Sequence, residues 1–151
     1  MRTHDLVIVG AGSGNAVIDD RFSHLDVAIV DEGPFGGTCL NRGCIPSKML
    51  GHVADIAAGV AGVREAGRLG VDAALHGVRW ADVREPVFGR LDREAAEGEE
   101  GRRRSPYVHV YKGHARFTAD RTLLVLTGEG AVTIRGEQVV AVGSRPAVPG
   151  P

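Results

Sequence analysis

The sequence predicts an α/β fold with a parallel sheet, helices and a small antiparallel β-meander. Three observations support this prediction. Two apolar runs rich in β-branched residues enclose a glycine-rich turn within residues 5–31. Apolar residues then recur at helical spacing over residues 46–66, and from Tyr107 onward short runs alternate with turn residues. This fold class has the element order strand, turn, strand, helices and then closely spaced strands.

The first of these segments predicts a βαβ unit. The run "DLVIV" at residues 5–9 and the run in "DVAIVDEG" at residues 26–33 are apolar throughout, as expected for strands that are covered on both faces. The glycine-rich segment "GAGSGNAVIDDRF" follows the first run directly. We therefore expect a parallel pair of strands joined by a glycine turn that opens a helix.

Two helices and a meander are predicted for the rest of the chain. The helix over residues 46–66 has Ser47 as its expected cap, and a second helix over residues 80–97 is made irregular by Pro86. The run "EGEEGRRRS" is expected to be a charged surface turn. The runs "YVHVYKG", "HARFTAD", "TLLVLTG", "AVTIRG" and "EQVVAVG" predict the antiparallel meander, although the last is apolar enough to lie in the main sheet.

Composition excludes several classes of protein. The 151 residues are 43% apolar and 25% charged, which is typical of a soluble globular domain. The net charge of -1 argues against nucleic acid as a partner. No apolar run approaches the roughly 20 residues of a membrane span, and the run before the first glycines is too short for a secretory signal. We therefore expect a cytoplasmic protein without a membrane partner.

The glycines after the first strand predict a nucleotide-binding turn. Gly10 and Gly12 match the first two glycines of the G-x-G-x-x-G pattern, whereas Asn15 occupies the third position and Gly14 comes one residue early. Such glycines let the backbone approach a pyrophosphate. Asp31 ends the second strand, where a carboxylate accepts hydrogen bonds from ribose hydroxyls and repels a 2′-phosphate. This favours FAD or NAD over NADP; the alternative is a glycine turn with an ordinary surface acid.

The two cysteines form the second candidate site. Four residues separate Cys39 from Cys44 in "GGTCLNRGCIPSKML". A zinc site would need about four ligands, and His52 and His76 are available, but their spacing matches no zinc finger. A buried structural pair of thiols is a second interpretation. The third is a redox disulfide, because one helical turn and a loop can bring the sulfurs into bonding range and the following helix can stabilise a thiolate.

The cysteine segment resembles the active-site segment of the flavin-dependent pyridine nucleotide–disulfide oxidoreductases, a family that includes glutathione, lipoamide, mercuric and mycothione reductases. The resemblance extends to "DLVIVGAGSGNAV" and to "VVAVGSRPAVP", where Val142 replaces the family's threonine. The stretches "GSGN", "VRWADV", "VFGRLD" and "YVHVYKGHARF" are most similar to the mycothione reductase branch, and "CIPSK" is shared with lipoamide dehydrogenases. The implied fold is a Rossmann-like FAD-binding domain.

The resemblance implies a cofactor site and an electron donor. FAD would lie across the first glycine turn, with Asp31 on its adenosine ribose. The implied cofactor-binding residues are Gly10, Gly12, Gly14, Asp31, Gly37, Thr38, Lys48, Ala115 and Gly143. NAD(P)H would donate the electrons and would be bound by a domain that is absent from residues 1–151.

The resemblance also implies roles in the redox chemistry. Cys44 would lie nearer the flavin as the charge-transfer thiolate, and Cys39 would be the thiol that attacks a disulfide substrate. Lys48 would lie near the flavin N5 and support negative charge on the ring; its alternative role is that of a solvated helix lysine. None of the six histidines lies in a segment that resembles the family's acid–base histidine, so none is assigned to catalysis.

The expected organisation is that of a partial enzyme. Residues 1–151 correspond to the N-terminal portion of the FAD-binding domain, apparently truncated, with the NAD(P)-binding and dimer-interface domains absent. The expected substrate is a small-molecule disulfide, mycothione being favoured, and the complete family member is expected to be a homodimer. Two alternatives stay open: a stand-alone FAD- or nucleotide-binding module without turnover, and part of a dihydrolipoamide dehydrogenase.

Overall fold

The structure is a computed structural model that describes residues 1–66, 70–143, 147 and 150, and the side chains of these residues apart from 63–66. The stretch "SRP" (residues 144–146) of the family-like segment "VVAVGSRPAVP" lies outside the described residues. Two compact units are present: the first contains residues 1–37 and 95–151, and the second contains residues 38–94.

The strands are β1 (Arg2–Val9), β2 (Val27–Asp31), β3 (Val108–Ala119), β4 (Thr122–Thr127) and β5 (Gly130–Val140). The α-helices are α1 (Gly37–Arg42), α2 (Cys44–Ala66) and α3 (Trp80–Arg104).

The five strands of the first unit close into a barrel. β1 pairs in parallel with both β2 and β5, and β2 pairs in parallel with β3. β3, β4 and β5 form an antiparallel meander. The predicted α/β class, parallel pair and meander are therefore confirmed. The parallel sheet and the meander are not separate, however, because β3 and β5 belong to both.

Alternation along the strands produces two apolar clusters. Leu6 and Ile8 on β1 pack with Ile29 on β2 in one cluster. Val7, which points to the opposite face of β1, packs in the second cluster with residues of β2, β4 and β5. Because this second cluster combines strands from opposite sides of the ring, it fills the interior of the barrel. Its buried members are Val7, Ala28, Val30, Leu123, Val125 and Ile134.

Two glycines that resemble turn signals lie inside long strands instead. The five predicted runs form only three strands, since Gly113 lies within β3 and Gly136 lies within β5. A Cβ atom on Gly113 would lie 2.2 Å from the carbonyl oxygen of Leu126, and one on Gly136 would lie 2.6 Å from that of Gln138. These positions require glycine because the backbone of another residue already occupies the space of a Cβ atom. At Gly113, β3 changes its partner: it pairs with β2 up to Lys112 and with β4 from Gly113 onward.

The helix predicted after the glycine turn is replaced by two 3₁₀ helices, Ser13–Val17 and Asp20–Phe22. Ile18 is extended and interrupts them. Asp19 then begins the second one, because its side chain accepts a hydrogen bond of 3.0 Å from the Arg21 N–H. An aspartate that caps a new turn stops the first turn from propagating into an α-helix.

The cap predicted at Ser47 was wrong, because α2 already begins at Cys44. The Ser47 N–H donates to the Gly43 carbonyl at 3.0 Å, so Ser47 lies inside the first turn. Pro46 is also in this turn, where its missing N–H costs no helical hydrogen bond. Among the described helices, none has the length and apolarity that crossing a membrane requires.

The charged surface turn predicted at "EGEEGRRRS" was also wrong, since α3 continues through this run to Arg104. Glu99 pairs with Arg103 at 2.7 Å, one helical turn later. Such i, i+4 pairs stabilise a helix, and three arginines in the last turn complement the negative end of the helix dipole. The alternation of glutamates and arginines thus favours a helix end rather than a loop.

Arg102 connects this helix end to the crossover between β1 and β2. Its guanidinium donates to the carbonyl oxygens of Ile18 and Asn15, each at 2.7 Å. We expect Arg102→Ala to lower the free energy of unfolding by about 1–3 kcal/mol, because two carbonyls lose a charged donor. Arg104→Ala is the matched control, since Arg104 is exposed and lies 3.9 Å from Glu100. Urea unfolding of both variants measures the difference, and equal midpoints would contradict the prediction.

Candidate functional site

The turn after β1 is joined to the end of β2 by the predicted acid. Gly10 has a φ of +106°, a conformation that favours glycine, and its N–H donates to the Val30 carbonyl at 2.7 Å. One carboxylate oxygen of Asp31 accepts from the Ala11 N–H at 2.6 Å, and the other accepts from the Gly33 N–H at 2.7 Å. Asp31 therefore stabilises two turns, a structural role that the sequence analysis did not predict.

Gly12 and Gly37 are in direct backbone contact. A Cβ on Gly37, whose φ is +59°, would lie 2.6 Å from the Gly12 Cα. Next to this contact, the Gly36 N–H donates to the Ala11 carbonyl at 2.8 Å. Gly14 is less constrained, because its Cβ would make an ordinary 3.5 Å contact with the Val142 side chain. The "GG" pair before Cys39 thus packs against the first glycine turn.

A pocket of about 410 Å³ opens at the carboxyl ends of β1 and β2. Four of the predicted cofactor residues line it, namely Gly10, Asp31, Ala115 and Gly143. Gly12, Gly14 and Gly37 do not line it. Binding sites in open α/β sheets lie at the carboxyl ends of parallel strands, and this volume is within the usual range for ligand pockets.

A hydrogen-bonded pair of side chains that sequence reasoning missed also lines this pocket. His114 Nδ1 lies 3.1 Å from Glu32 Oε2, and both residues are part of the pocket wall. Asp31 pairs with Lys112 in the register of β2 and β3, so Glu32, which follows β2, lies beside His114, which is within β3. No local pattern relates Glu32 to a histidine 82 positions away. The parallel pairing of β2 with β3 brings the two residues together, and the sequence analysis did not predict this pairing.

The residues around this pocket fit the adenosine part of a nucleotide. A carboxylate has about four lone-pair positions, so Asp31 can accept hydrogen bonds from ribose hydroxyls in addition to its two backbone bonds. Gly10 and Gly12 leave the backbone of the turn without side chains. The Oδ1 atom of Asn15 is buried and has no hydrogen-bond partner among the described residues. Asn15 does not line the pocket, so this acceptor is not part of the pocket wall.

The two cysteines lie in the second unit, on consecutive helices. Cys39 is in α1, and Cys44 is the first residue of α2. Both are free thiols. A hydrogen bond with Cys44 is the largest of the effects that raise the pKa of Cys39, followed by burial, and the positive charge of Lys48 opposes them only in part. The Cys39 thiol therefore loses its proton less readily than an ordinary cysteine thiol.

Gly43 is a further residue of this segment that was not singled out from the sequence. A Cβ on Gly43 would lie 2.9 Å from the Thr38 carbonyl oxygen and 3.5 Å from the Cys39 Cα. Glycine at this position therefore lets the chain fold back so that the two thiols meet. The signal was available, because Gly43 directly precedes Cys44 in the quoted segment.

Lys48 follows Cys44 by four residues on α2, so both lie on the same face of the helix. Lys48 on α2 and Thr38 in α1 are both exposed. No cluster of metal-ligating side chains in the described part of the chain includes either cysteine. His52 and His76 therefore do not complete a zinc site with the thiols.

Comparisons with known proteins agree with these features. The profile of the pyridine nucleotide-disulphide oxidoreductase family matches residues 4–151. Mycothione reductase of Mycobacterium tuberculosis is 45% identical over 99% of this chain and 32% of its own length. Dihydrolipoyl dehydrogenase 2 of Haloarcula marismortui is 36% identical over 97% of this chain and 31% of its own. The chain spans about a third of the length of the curated relatives it matches.

A solved structure shows the same fold. In the Cu(II) complex of the HOCl-induced flavoprotein disulfide reductase RclA from Escherichia coli, the matching region has a TM-score of 0.76 at 23% identity. It covers 99% of this chain and 30% of that one. The profile match over nearly the whole sequence, which includes the glycine turn, Asp31 and both cysteines, establishes that this chain belongs to the pyridine nucleotide-disulphide oxidoreductase family.

Proposed function

We propose that this chain is the FAD-binding and redox-disulfide portion of a flavoprotein disulfide reductase. In this proposal, electrons pass from NAD(P)H through bound FAD and the Cys39–Cys44 pair to a small-thiol disulfide, with mycothione as the substrate. The observation that carries the proposal is the presence of two free thiols on the consecutive helices α1 and α2 in a chain of this family. The identity of 45% to a mycothione reductase supports the choice of substrate.

The cysteines would carry out two thiol–disulfide exchanges. Reduction of the Cys39–Cys44 disulfide by two electrons and two protons gives two thiols. The Cys39 sulfur attacks one sulfur of the substrate disulfide and its proton passes to the leaving substrate sulfur, so that one substrate thiol leaves and a mixed disulfide forms. The Cys44 thiolate then attacks the Cys39 sulfur, which releases the second substrate thiol and restores the internal disulfide. FAD supplies the two-electron chemistry that side chains cannot supply.

The remaining residues would bind and orient the cofactor. Gly10, Gly12 and Gly14 keep the first turn open for the pyrophosphate, and Asp31 accepts hydrogen bonds from the ribose. Gly37, Thr38, Ala115 and Gly143 are the further proposed contacts. Lys48 places a positive charge one helical turn after Cys44, where it supports negative charge next to the thiols.

The test is the visible absorption spectrum of the purified chain after incubation with FAD, before and after mild reduction with a dithiol. The proposal expects bound flavin and a new long-wavelength shoulder after reduction, caused by a Cys44 thiolate next to the ring. Bound flavin without that shoulder would favour the alternative of a nucleotide-binding module without redox cysteines. A chain that binds no flavin at millimolar FAD would contradict both.

The identity of 36% to a dihydrolipoyl dehydrogenase favours a second candidate substrate. A chimera that joins residues 1–151 to the remaining two thirds of the Mycobacterium tuberculosis mycothione reductase distinguishes the two. We expect this chimera to oxidise NAD(P)H with mycothione disulfide and to leave lipoamide unreacted. A second chimera joins residues 1–151 to the corresponding part of a dihydrolipoyl dehydrogenase. It is the control that tests whether residues 1–151 support reaction with either substrate.

A further inference from the structure

A second cluster of polar side chains lies at the amino ends of β1, β2 and β3, the opposite end of these strands from the pocket. His4 is near the start of β1 and is only 1% exposed. Asp26 directly precedes β2, and His109 is the second residue of β3. Because the three strands are parallel neighbours, their amino ends bring these side chains together.

Two imidazole rings converge on one carboxylate oxygen in this cluster. Asp26 Oδ1 lies 2.6 Å from His4 Nδ1 and 3.4 Å from His109 Nε2. One ligand atom from each of the three residues lies within 4.8 Å of the other two. A tetrahedral zinc ion with bonds of about 2.0–2.2 Å holds its ligand atoms about 3.3 Å apart. The three atoms therefore need to move by less than about 1 Å to share one ion.

Tyr111 fixes the orientation of the buried imidazole. Its hydroxyl lies 2.9 Å from His4 Nε2, the ring nitrogen that faces away from Asp26. Metal-binding histidines almost always donate their second ring N–H to a neighbouring acceptor, which leaves the other nitrogen free for the metal. The hydroxyl can accept such a bond. Tyr111 and Asp26 already satisfy both nitrogens of His4, so burial of His4 does not explain why His109 converges on the same oxygen.

The charges around the cluster already attract a cation. Arg2 Nη2 lies 3.0 Å from His109 Nε2, so a guanidinium occupies the space next to this ring nitrogen. The Asp5 carboxylate accepts from the Asp26 N–H at 2.8 Å and adds a second negative charge close by. Arg2 is exposed, so its side chain can move away from the ring when another cation binds.

We propose that His4, Asp26 and His109 form a binding site for Zn²⁺, in which a water molecule completes the coordination and Arg2 is the competing cation. The side chains of Asp26 and His109 are 42% and 33% exposed, which gives the ion a path from solvent. Two nitrogens and one carboxylate oxygen suit zinc better than calcium or magnesium, which prefer oxygen ligands. A bound ion would connect the first residues of three strands and stabilise the barrel.

The test is titration of the chain with zinc chloride, followed by calorimetry and by the thermal unfolding midpoint. Cys39 and Cys44 are both replaced with serine in every sample, so that thiols bind no zinc. We expect one equivalent to bind and to raise the midpoint, because the ligand binds only the folded state. His109→Gln should weaken binding at least about 10-fold, as expected when part of a zinc site is lost. The matched control His24→Gln changes an exposed histidine outside the cluster.

Arg2→Gln provides an independent check, since removal of the competing guanidinium should tighten binding. Zinc bound equally by the His109→Gln and His24→Gln variants would overturn the proposal, as would the absence of binding at millimolar zinc. Weaker binding in Arg2→Gln would also contradict it. Because all samples lack the redox cysteines, these outcomes are independent of whether the chain takes part in disulfide reduction.

Discussion

Replacement of either cysteine with serine is expected to abolish disulfide reduction, but the two variants should differ in their spectra. The hydrogen bond with Cys44 and burial raise the pKa of Cys39, which disfavours its thiolate, and Cys44 is the proposed charge-transfer thiol. Cys39→Ser should therefore retain the long-wavelength shoulder of the flavin-loaded chain, whereas Cys44→Ser should lose it. Turnover requires both sulfurs, since the second exchange step has no attacking thiolate without Cys44 and no mixed disulfide without Cys39.

The measurement combines absorption spectra of the flavin-loaded variants with NAD(P)H oxidation by the corresponding chimeras. Ser47→Ala is a matched control, because Ser47 is an exposed hydroxyl in the same helical turn as Cys44. It should change neither the shoulder nor the turnover. A shoulder that survives in Cys44→Ser and disappears in Cys39→Ser would reverse the two roles. Turnover that persists in either variant would show that the thiol pair is not the redox group.

Local patterns predicted the elements that local interactions determine. The apolar runs of β1 and β2, the glycines between them and Asp31 at the end of β2 are contiguous, so periodicity and spacing predicted their pairing and their position. The segment around Cys39 and Cys44 is likewise short, and its thiols meet within one turn and a loop. These parts of the candidate site could be located without knowledge of the rest of the chain.

Long-range contacts determined what the sequence alone did not predict. The charged run before Arg104 was expected to be a loop, but the carbonyls of Asn15 and Ile18 give Arg102 partners more than 80 positions away. Gly113 was expected to be a turn residue, whereas it lies within β3, where a Cβ atom would overlap the backbone of Leu126 on β4. A glycine looks the same in a one-dimensional pattern whether it permits a turn or a close contact.

The contact between Gly12 and Gly37 leads to the second large effect. Gly37→Ala is expected to lower the free energy of unfolding by about 2–4 kcal/mol, because the new methyl group overlaps the Gly12 backbone and the left-handed conformation of residue 37 disfavours alanine. The overlap is severe: the added Cβ would lie 2.6 Å from the Gly12 Cα and 3.4 Å from its nitrogen. Backbone atoms of a packed turn cannot move away as the end of a flexible side chain can.

Gly12→Ala is the matched variant from the other side of the same contact. Here the added Cβ would lie 3.6 Å from the Gly37 Cα, an ordinary contact, and the φ of -82° at residue 12 suits any residue. We expect the free energy of unfolding to change by less than about 1 kcal/mol. We also expect FAD affinity to fall about 100-fold or more, because the methyl group occupies the space through which the backbone approaches the pyrophosphate.

Urea unfolding and flavin titration of the two variants separate packing from ligand binding. Gly37→Ala should lose stability first and flavin binding as a consequence, whereas Gly12→Ala should lose flavin binding alone. If Gly12→Ala binds FAD as the parent chain does, the first glycine turn is only a packing element and the cofactor lies elsewhere. If Gly37→Ala is as stable as the parent, the two turns are not in backbone contact. The pair therefore tests a steric requirement and a ligand requirement that a glycine-rich sequence pattern cannot distinguish.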